Sequence, residues 1–178
     1  MTVSDKNLTI WTNFALTILG VTVTYFSDLW VFIPVLFALG IPIVNIRGSI
    51  KQKIAQIFVI SIISMALFFG SVLAMLTPGM DKYIFPGIIT GMAGVGFLGI
   101  NGLLIENIKV NYKSILITFL LSGFSMPFWV FTTENVLPEI SMGSDSIRQI
   151  GVMTLWMIMT TIGISTGIKT KKATASTT

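Results

Sequence analysis

Long apolar runs alternate with short polar segments along the whole chain. A helix that crosses the hydrocarbon core of a bilayer needs about 20 mostly apolar residues, with about 17 as the lower limit. Proline and glycine mark the clearest break between runs, at residues 77–79. The pattern predicts six transmembrane helices, at residues 8–26, 29–45, 54–76, 83–105, 115–131 and 147–168.

Composition points to the same class of protein. Of the 178 residues, 53% are hydrophobic and only 10% are charged. A soluble domain carries about 25% charged residues, so we expect lipid to cover most of the folded surface. The prediction is an all-α integral membrane protein, a compact bundle of about six transmembrane helices that forms one polytopic domain over residues 1–168. Residues 169–178 are small and polar and are predicted to be a disordered cytoplasmic tail.

The basic residues predict how the bundle is oriented. Cytoplasmic loops of membrane proteins carry an excess of lysine and arginine. With the N-terminus inside, only Lys82 and Arg148 fall on the outer side. We therefore expect both termini in the cytoplasm, in a plasma or inner membrane. The cytoplasmic set comprises Lys6, Arg47, Lys51, Lys53, Lys109, Lys113, Lys169, Lys171 and Lys172.

Three segments at the predicted inner ends of the helices resemble one another. Internal repeats are common in transporters, and the resemblance is consistent with three helical hairpins. Helix ends that face the cytosol also converge on asparagine and lysine, so the pattern has a second explanation without a repeat. The segments are Gly40 with Asn45-Ile46-Arg47, Gly102 with Asn107-Ile108-Lys109, and Gly163 with Ile168-Lys169.

The fourth run is rich in glycine along one face. Membrane helices associate through close backbone contact and interhelical hydrogen bonds, which small residues and asparagine provide. We expect this face to be the packed centre of the bundle, with a polar path for a solute beside Asn101 as the alternative. On a wheel of about 100° per residue, the face contains Gly87, Thr90, Gly91, Gly94, Asn101 and Gly102.

Pro127 interrupts the fifth run. A proline inside a helix leaves a carbonyl one turn earlier without its partner and bends the helix. Ser122 and Ser125 lie within one or two turns and are candidates to satisfy the freed groups. Such a break marks either a simple kink or a binding site, and we include Pro127 among the candidate packing or solute-path residues.

The residues that usually perform catalysis are missing. The chain contains no cysteine and no histidine, which removes thiol nucleophiles and the usual zinc ligand sets. No charged residue lies in the central part of a predicted helix, where proton relays place theirs. We expect no enzymatic activity, no cofactor and no metal site. The basic residues lie in short loops and are attributed to topology, so nucleic acid is not an expected partner.

These observations predict a non-enzymatic membrane protein that acts through helix–helix interaction. Its partners would be the lipid bilayer and either another membrane protein, for which it is an accessory subunit, or further copies of itself in a homo-oligomer. The alternative is a passive carrier, a channel or a membrane substrate-binding subunit for a small neutral or apolar solute.

Overall fold

The chain forms a bundle of α-helices, as the sequence predicts. The structure is a computed structural model that describes residues 5–27, 32–75, 81, 83–136 and 145–169. A π-helical turn, Thr132–Val136, follows the fifth helix directly. The six α-helices within the described residues are α1 (Asp5–Ser27), α2 (Phe32–Asn45), α3 (Ile50–Met75), α4 (Ile84–Leu104), α5 (Tyr112–Phe131) and α6 (Asp145–Ser165).

The predicted and observed helices differ mainly at their ends. Polar first turns belong to the helices because capping groups satisfy their free N–H groups. In α5 the Asn111 side chain accepts a hydrogen bond from the Ser114 N–H, and the Ser114 hydroxyl accepts one from the Asn111 N–H. α6 ends at Ser165, three residues before the predicted end. Residues 29–31 of the second predicted helix and residues 170–178 of the predicted tail lie outside the described residues.

Four helices are long and apolar enough to cross a membrane. They are Asp5–Ser27, Ile50–Ala74, Ile84–Leu104 and Tyr112–Val136. Two shorter apolar helices, Ile33–Asn45 and Ile150–Ser165, complete the set among the described residues.

The helices close into a ring in chain order. Each helix packs on the next one, and α6 returns to pack on α1. α6 also contacts α4 and α2 across the ring. α4 is the most buried of the four candidate spans. Of the residues in its apolar 18-residue stretch 39% are buried, whereas the figure for α3 is 17%. The even-numbered helices therefore form the inner part of the bundle.

An aromatic layer fills the centre where the inner helices meet. Phe37 of α2, Phe97 of α4 and Trp156 of α6 contact one another, with ring centroids 5.3, 5.8 and 5.6 Å apart. Phe68 of α3 lies 5.9 Å from Trp156. The Trp156 Nε1–H donates to the Thr90 carbonyl at 3.1 Å, so the polar atom of the indole is satisfied. These four buried rings, Phe37, Phe68, Phe97 and Trp156, are called the aromatic layer below.

The three similar segments meet at one end of the ring. Their isoleucines, Ile46, Ile108 and Ile168, are all buried in the same core cluster. We call this end, where α2, α4 and α6 end and where Arg47 and Lys169 lie, the basic end.

A short antiparallel β-bridge joins two of these segments at the basic end. Ile108 pairs with Ile168. The Lys109 N–H donates to the Gly167 carbonyl at 2.8 Å, and the Lys169 N–H donates to the Asn107 carbonyl at 2.9 Å. Lys169, assigned from the sequence to a disordered tail, is therefore held against the α4–α5 loop.

Candidate functional site

The glycine face of α4 packs against α5. A Cβ atom added at Gly91 would lie 2.9 Å from the Phe119 ring and 3.0 Å from the Phe119 carbonyl oxygen. A Cβ at Gly94 would lie 2.6 Å from the Cβ of Ser122. At Gly99 the same atom would meet nothing within 4 Å. The absence of side chains at Gly91 and Gly94 is therefore what lets these two helix backbones approach.

Pro127 belongs to the same interface. Pro127 has no N–H, so the Gly123 carbonyl one turn earlier lacks its helical donor. That carbonyl lies against Gly87 of α4, where an added Cβ would be 3.0 Å from it. The hydroxyl of Ser125 donates instead to the Ser122 carbonyl, at 2.6 Å. The freed carbonyl therefore lies against a glycine of the neighbouring helix.

The remaining candidates on α4 have separate surroundings. The Thr90 hydroxyl donates within its own helix, to the Pro86 carbonyl at 2.8 Å. Asn101 is buried; its Nδ2 donates to the Phe97 carbonyl at 2.8 Å, and its Oδ1 has no hydrogen-bond partner among the described residues. Gly102 lies against Val110 of the α4–α5 loop.

The structure thus brings part of the predicted set together, as an interface and not as a pocket. Gly91, Gly94 and Pro127 lie where α4 meets α5, and Thr90, Asn101 and Gly102 lie elsewhere along α4. None of these residues lines the two cavities described below.

The buried polar stripe on α1 is not among the sequence predictions, and of the stripe on α5 only Ser122 and Ser125 are. Asn13 of α1 is buried, and its Nδ2 donates to the Thr161 hydroxyl of α6 at 2.6 Å. The preceding residue of α6 faces α5, where the hydroxyls of Thr160 and Ser122 are 2.9 Å apart. The sequence pattern that indicates such stripes is the recurrence of polar residues at helical spacing, mostly every three or four residues, which places them on one helix face. The buried members are Thr9, Asn13, Thr17 and Thr24 on α1, and Ser114, Thr118, Ser122 and Ser125 on α5.

Asn45, the last residue of α2, joins three segments at the basic end. Its Nδ2 donates to the Thr9 hydroxyl at 2.8 Å and to the Ile41 carbonyl at 2.9 Å. Its Oδ1 accepts from the Asn107 amide at 3.3 Å. Asn45 is buried, and these bonds use both of its N–H donors and one of the two lone pairs of its carbonyl oxygen. Asn45 therefore fixes α1, α2 and the α4–α5 loop relative to one another.

A polar cavity of about 290 Å³ opens beside Asn45 at the basic end. It lies where α2 and α4 end, against the second turn of α3 and the segment after α6. Its volume is close to the lower limit of about 300–1,000 Å³ that is typical of ligand pockets. The lining residues are Asn45, Ile46, Arg47, Gln56, Leu104, Ile105, Glu106, Asn107 and Lys169.

Of the three charged residues in this lining, Arg47 and Lys169 are hydrogen-bond donors and Glu106 is a carboxylate acceptor. The Arg47 guanidinium pairs with Asp5 at 3.0 Å, and 60% of the Arg47 side chain is exposed. The Lys169 ammonium donates to the Glu106 carbonyl oxygen. Gln56 is half-buried and makes no hydrogen bond among the described residues. A concave site with several polar side chains of this kind suits the binding of a small polar ligand.

A second cavity is apolar and has a different character. It lies on the outer surface between α4 and α5 and has a similar volume, about 290 Å³. Met92, Val95, Tyr112, Ile115, Leu116 and Phe119 line it. Tyr112 supplies the only polar side chain among these lining residues, so the groove offers little to orient a polar ligand.

Comparisons of the chain with protein-family models, with curated proteins and with solved structures found no match.

Proposed function

We propose that the protein spans a membrane with all six helices and with both termini in the cytoplasm. The support is the distribution of side chains, which is the inverse of that in a soluble protein. Large apolar side chains such as Leu103, Phe26 and Ile50 are 86%, 80% and 75% exposed, while threonine, serine and asparagine fill much of the interior. A soluble monomer rarely exposes contiguous apolar area of this extent, but lipid covers it without penalty.

The two ends of the bundle support the orientation. Arg47, Lys109 and Lys169 gather at the basic end through the contacts described above, which suits the cytoplasmic face. At the opposite end the Tyr83 hydroxyl donates to the Glu134 carboxylate at 2.8 Å. Tyrosine is enriched where a membrane meets water, so this end also suits a membrane interface.

Cysteine labelling tests this topology, because the native chain contains no cysteine. We expect Asp81→Cys to react with a membrane-impermeant thiol reagent on intact cells. Lys113→Cys, at the basic end, should react only after lysis. Labelling of Lys113→Cys on intact cells at the rate of Asp81→Cys would contradict the orientation.

We further propose that the protein binds a small polar solute from the cytoplasmic side, as a carrier or as the binding subunit of a transporter. The observation that supports this function is the polar cavity at the basic end. The aromatic layer limits its depth, since Phe37 lies two turns before Asn45, roughly 12 Å away at about 1.5 Å per residue. A cavity open at one end and packed shut beyond it has the form expected of a binding site that faces one side of a membrane.

Filling the cavity tests this proposal. Leu104 lines the cavity, whereas Leu103, its neighbour in sequence, faces outward. The purified protein is screened for solutes that raise its unfolding temperature, with small sugars, polyols, amino acids and phosphate esters as probes. We expect a subset to stabilise the wild type and Leu103→Trp but not Leu104→Trp. A screen in which no probe raises the unfolding temperature, or in which both variants respond alike, would contradict solute binding.

A second function, action through helix–helix interaction, is favoured by α3. This helix is the least buried of the candidate spans, and Gly70 on its exposed side has nothing within 4 Å of an added Cβ. Small residues on a lipid-facing surface allow another helix to approach closely. If the protein acts in this way, as an accessory subunit or a homo-oligomer, the solute screen should give no response and the wild type should migrate as a complex in mild detergent.

A further inference from the structure

We propose that the cavity at the basic end recognises a phosphate group, carried either by a soluble phosphate ester or by the headgroup of an anionic lipid. The inference rests on the proposed function, because it names the chemistry of the ligand that the same cavity takes. It follows from the number and type of hydrogen-bonding groups that remain unused in the lining.

Arg47 and Lys169 supply most of the unused donors. Arginine has five N–H donors and lysine has three. The structure shows the Arg47 guanidinium bonded to Asp5 and the Lys169 ammonium bonded to the Glu106 carbonyl, which leaves several N–H groups on each. Arginine binds phosphate oxygens in pairs, and lysine binds them as a point charge.

Among the charged lining residues two, Arg47 and Lys169, are cationic and one, Glu106, is a carboxylate. The Oδ1 of Asn45 already accepts from Asn107, and outside the lining the carboxylate of Asp5 is paired with Arg47. The amide of Gln56 is a further donor that makes no bond within the described residues. A ligand that supplies several acceptor oxygens and negative charge matches the two cationic side chains and the Gln56 amide, and a neutral hydroxyl compound matches them less well.

The positions of Arg47 and Lys169 in one cavity wall support the inference independently of how many basic residues lie at this end. The preference for basic residues on the cytoplasmic side explains why lysine and arginine are abundant at this end. It does not require Arg47 and Lys169 to line the same cavity. Lys169 reaches the lining because the β-bridge holds its backbone against Asn107. Basic pockets between membrane helices on the cytoplasmic side are known to bind phosphate-bearing headgroups.

The test uses the full-length protein purified in an uncharged detergent, with the unfolding temperature as the measurement. One arm compares inorganic phosphate with chloride at the same ionic strength. The other compares short-chain phosphatidic acid with phosphatidylcholine of the same chain length. The variants are Arg47→Gln and Lys169→Gln, with Lys113→Gln as the matched control, since Lys113 is an exposed cation at the same end that does not line the cavity.

We expect phosphate or phosphatidic acid to stabilise the wild type and Lys113→Gln, and the apparent affinity to fall about tenfold or more in Arg47→Gln and Lys169→Gln, as loss of a charge-assisted hydrogen bond implies. A response to free phosphate identifies a soluble ligand, and a response to phosphatidic acid alone identifies a lipid headgroup. Arg47→Lys, which keeps the charge, should retain part of the response if the other variants fail to fold.

Three results would overturn the inference. They are an equal shift with chloride, an equal loss of response in Lys113→Gln, and stabilisation by a neutral polyol with no response to either phosphate compound. The third result leaves solute binding intact and rejects only the anionic ligand. If the wild type responds to no solute in the cavity-filling screen and to neither phosphate compound, both proposals are rejected.

Discussion

Gly163→Ala should destabilise the bundle strongly, although it adds a single methyl group. The new Cβ would lie 2.6 Å from the Cα of Thr118 and 2.9 Å from its hydroxyl oxygen. The Cα belongs to the backbone of α5, so no change of rotamer relieves the contact and α5 and α6 must separate. We expect a loss of at least about 3 kcal/mol, the upper end of what overpacking usually costs. Lipid offers no hydrophobic compensation when two membrane helices move apart.

Separation of these helices should also break an interhelical hydrogen bond. Ser122 and Thr160 join α5 to α6 about one turn from Gly163, with their hydroxyl oxygens 2.9 Å apart. The loss measured for Gly163→Ala would then include this bond, which is worth about 0.6 kcal/mol on average between membrane helices.

Gly99→Ala is the matched control for this change. An added Cβ at Gly99 has nothing within 4 Å, and alanine is a better helix former than glycine by about 1 kcal/mol. This variant should therefore be neutral or slightly more stable. Thermal unfolding in detergent, followed by loss of the monodisperse species, measures both. Equal melting temperatures for the two variants would show that α5 and α6 do not meet at Gly163.

The second large effect is expected for Trp156→Ala. Trp156 touches Phe37, Phe68 and Phe97 and is almost fully buried. Its removal leaves a cavity in the middle of the aromatic layer, and substitutions of this kind cost about 3–5 kcal/mol in soluble proteins because the surroundings close only partly. We expect a comparable loss here, measured by chemical or thermal unfolding in detergent.

Trp11→Ala makes the same chemical change on the outside of the ring. Trp11 is 67% exposed, so its removal should alter stability little. Trp156→Phe distinguishes the contribution of ring packing from that of the indole N–H. It keeps most of the packing and removes the bond to the Thr90 carbonyl. A loss of about 1 kcal/mol is expected for that bond. If Trp11→Ala proves as damaging as Trp156→Ala, the aromatic layer does not stabilise the centre of the bundle.

Part of the packing could be predicted from residue spacing alone. The helical wheel separates Gly91 and Gly94 from Gly96 and Gly99, and the structure places the first pair against α5. Spacing alone does not say which helix lies opposite a face. Gly96 faces α3, where an added Cβ would meet Leu67 at 2.9 Å, so two glycines outside the predicted face also differ from each other in their surroundings.

The residues of the polar cavity were likewise only partly predictable from the sequence. Asn45 and Asn107 stood out in the sequence because the segments around them resemble each other. Their hydrogen bond and the position of Gln56 beside them depend on how the ring closes. Lys169 was assigned to a tail because its neighbours are small and polar, and backbone pairing with Asn107 places it in the cavity wall instead.

The sequence by itself determined the all-helical class, the approximate position of each helix and the asymmetric distribution of basic residues. These properties are local, because hydropathy, helix period and loop charge are each read within one segment. The tertiary structure alone decided that the inner helices meet through Phe37, Phe97 and Trp156, and that Arg47 and Lys169 line one cavity. Such contacts join residues far apart in the chain, and their energies depend on distances of a few ångströms that no single segment specifies.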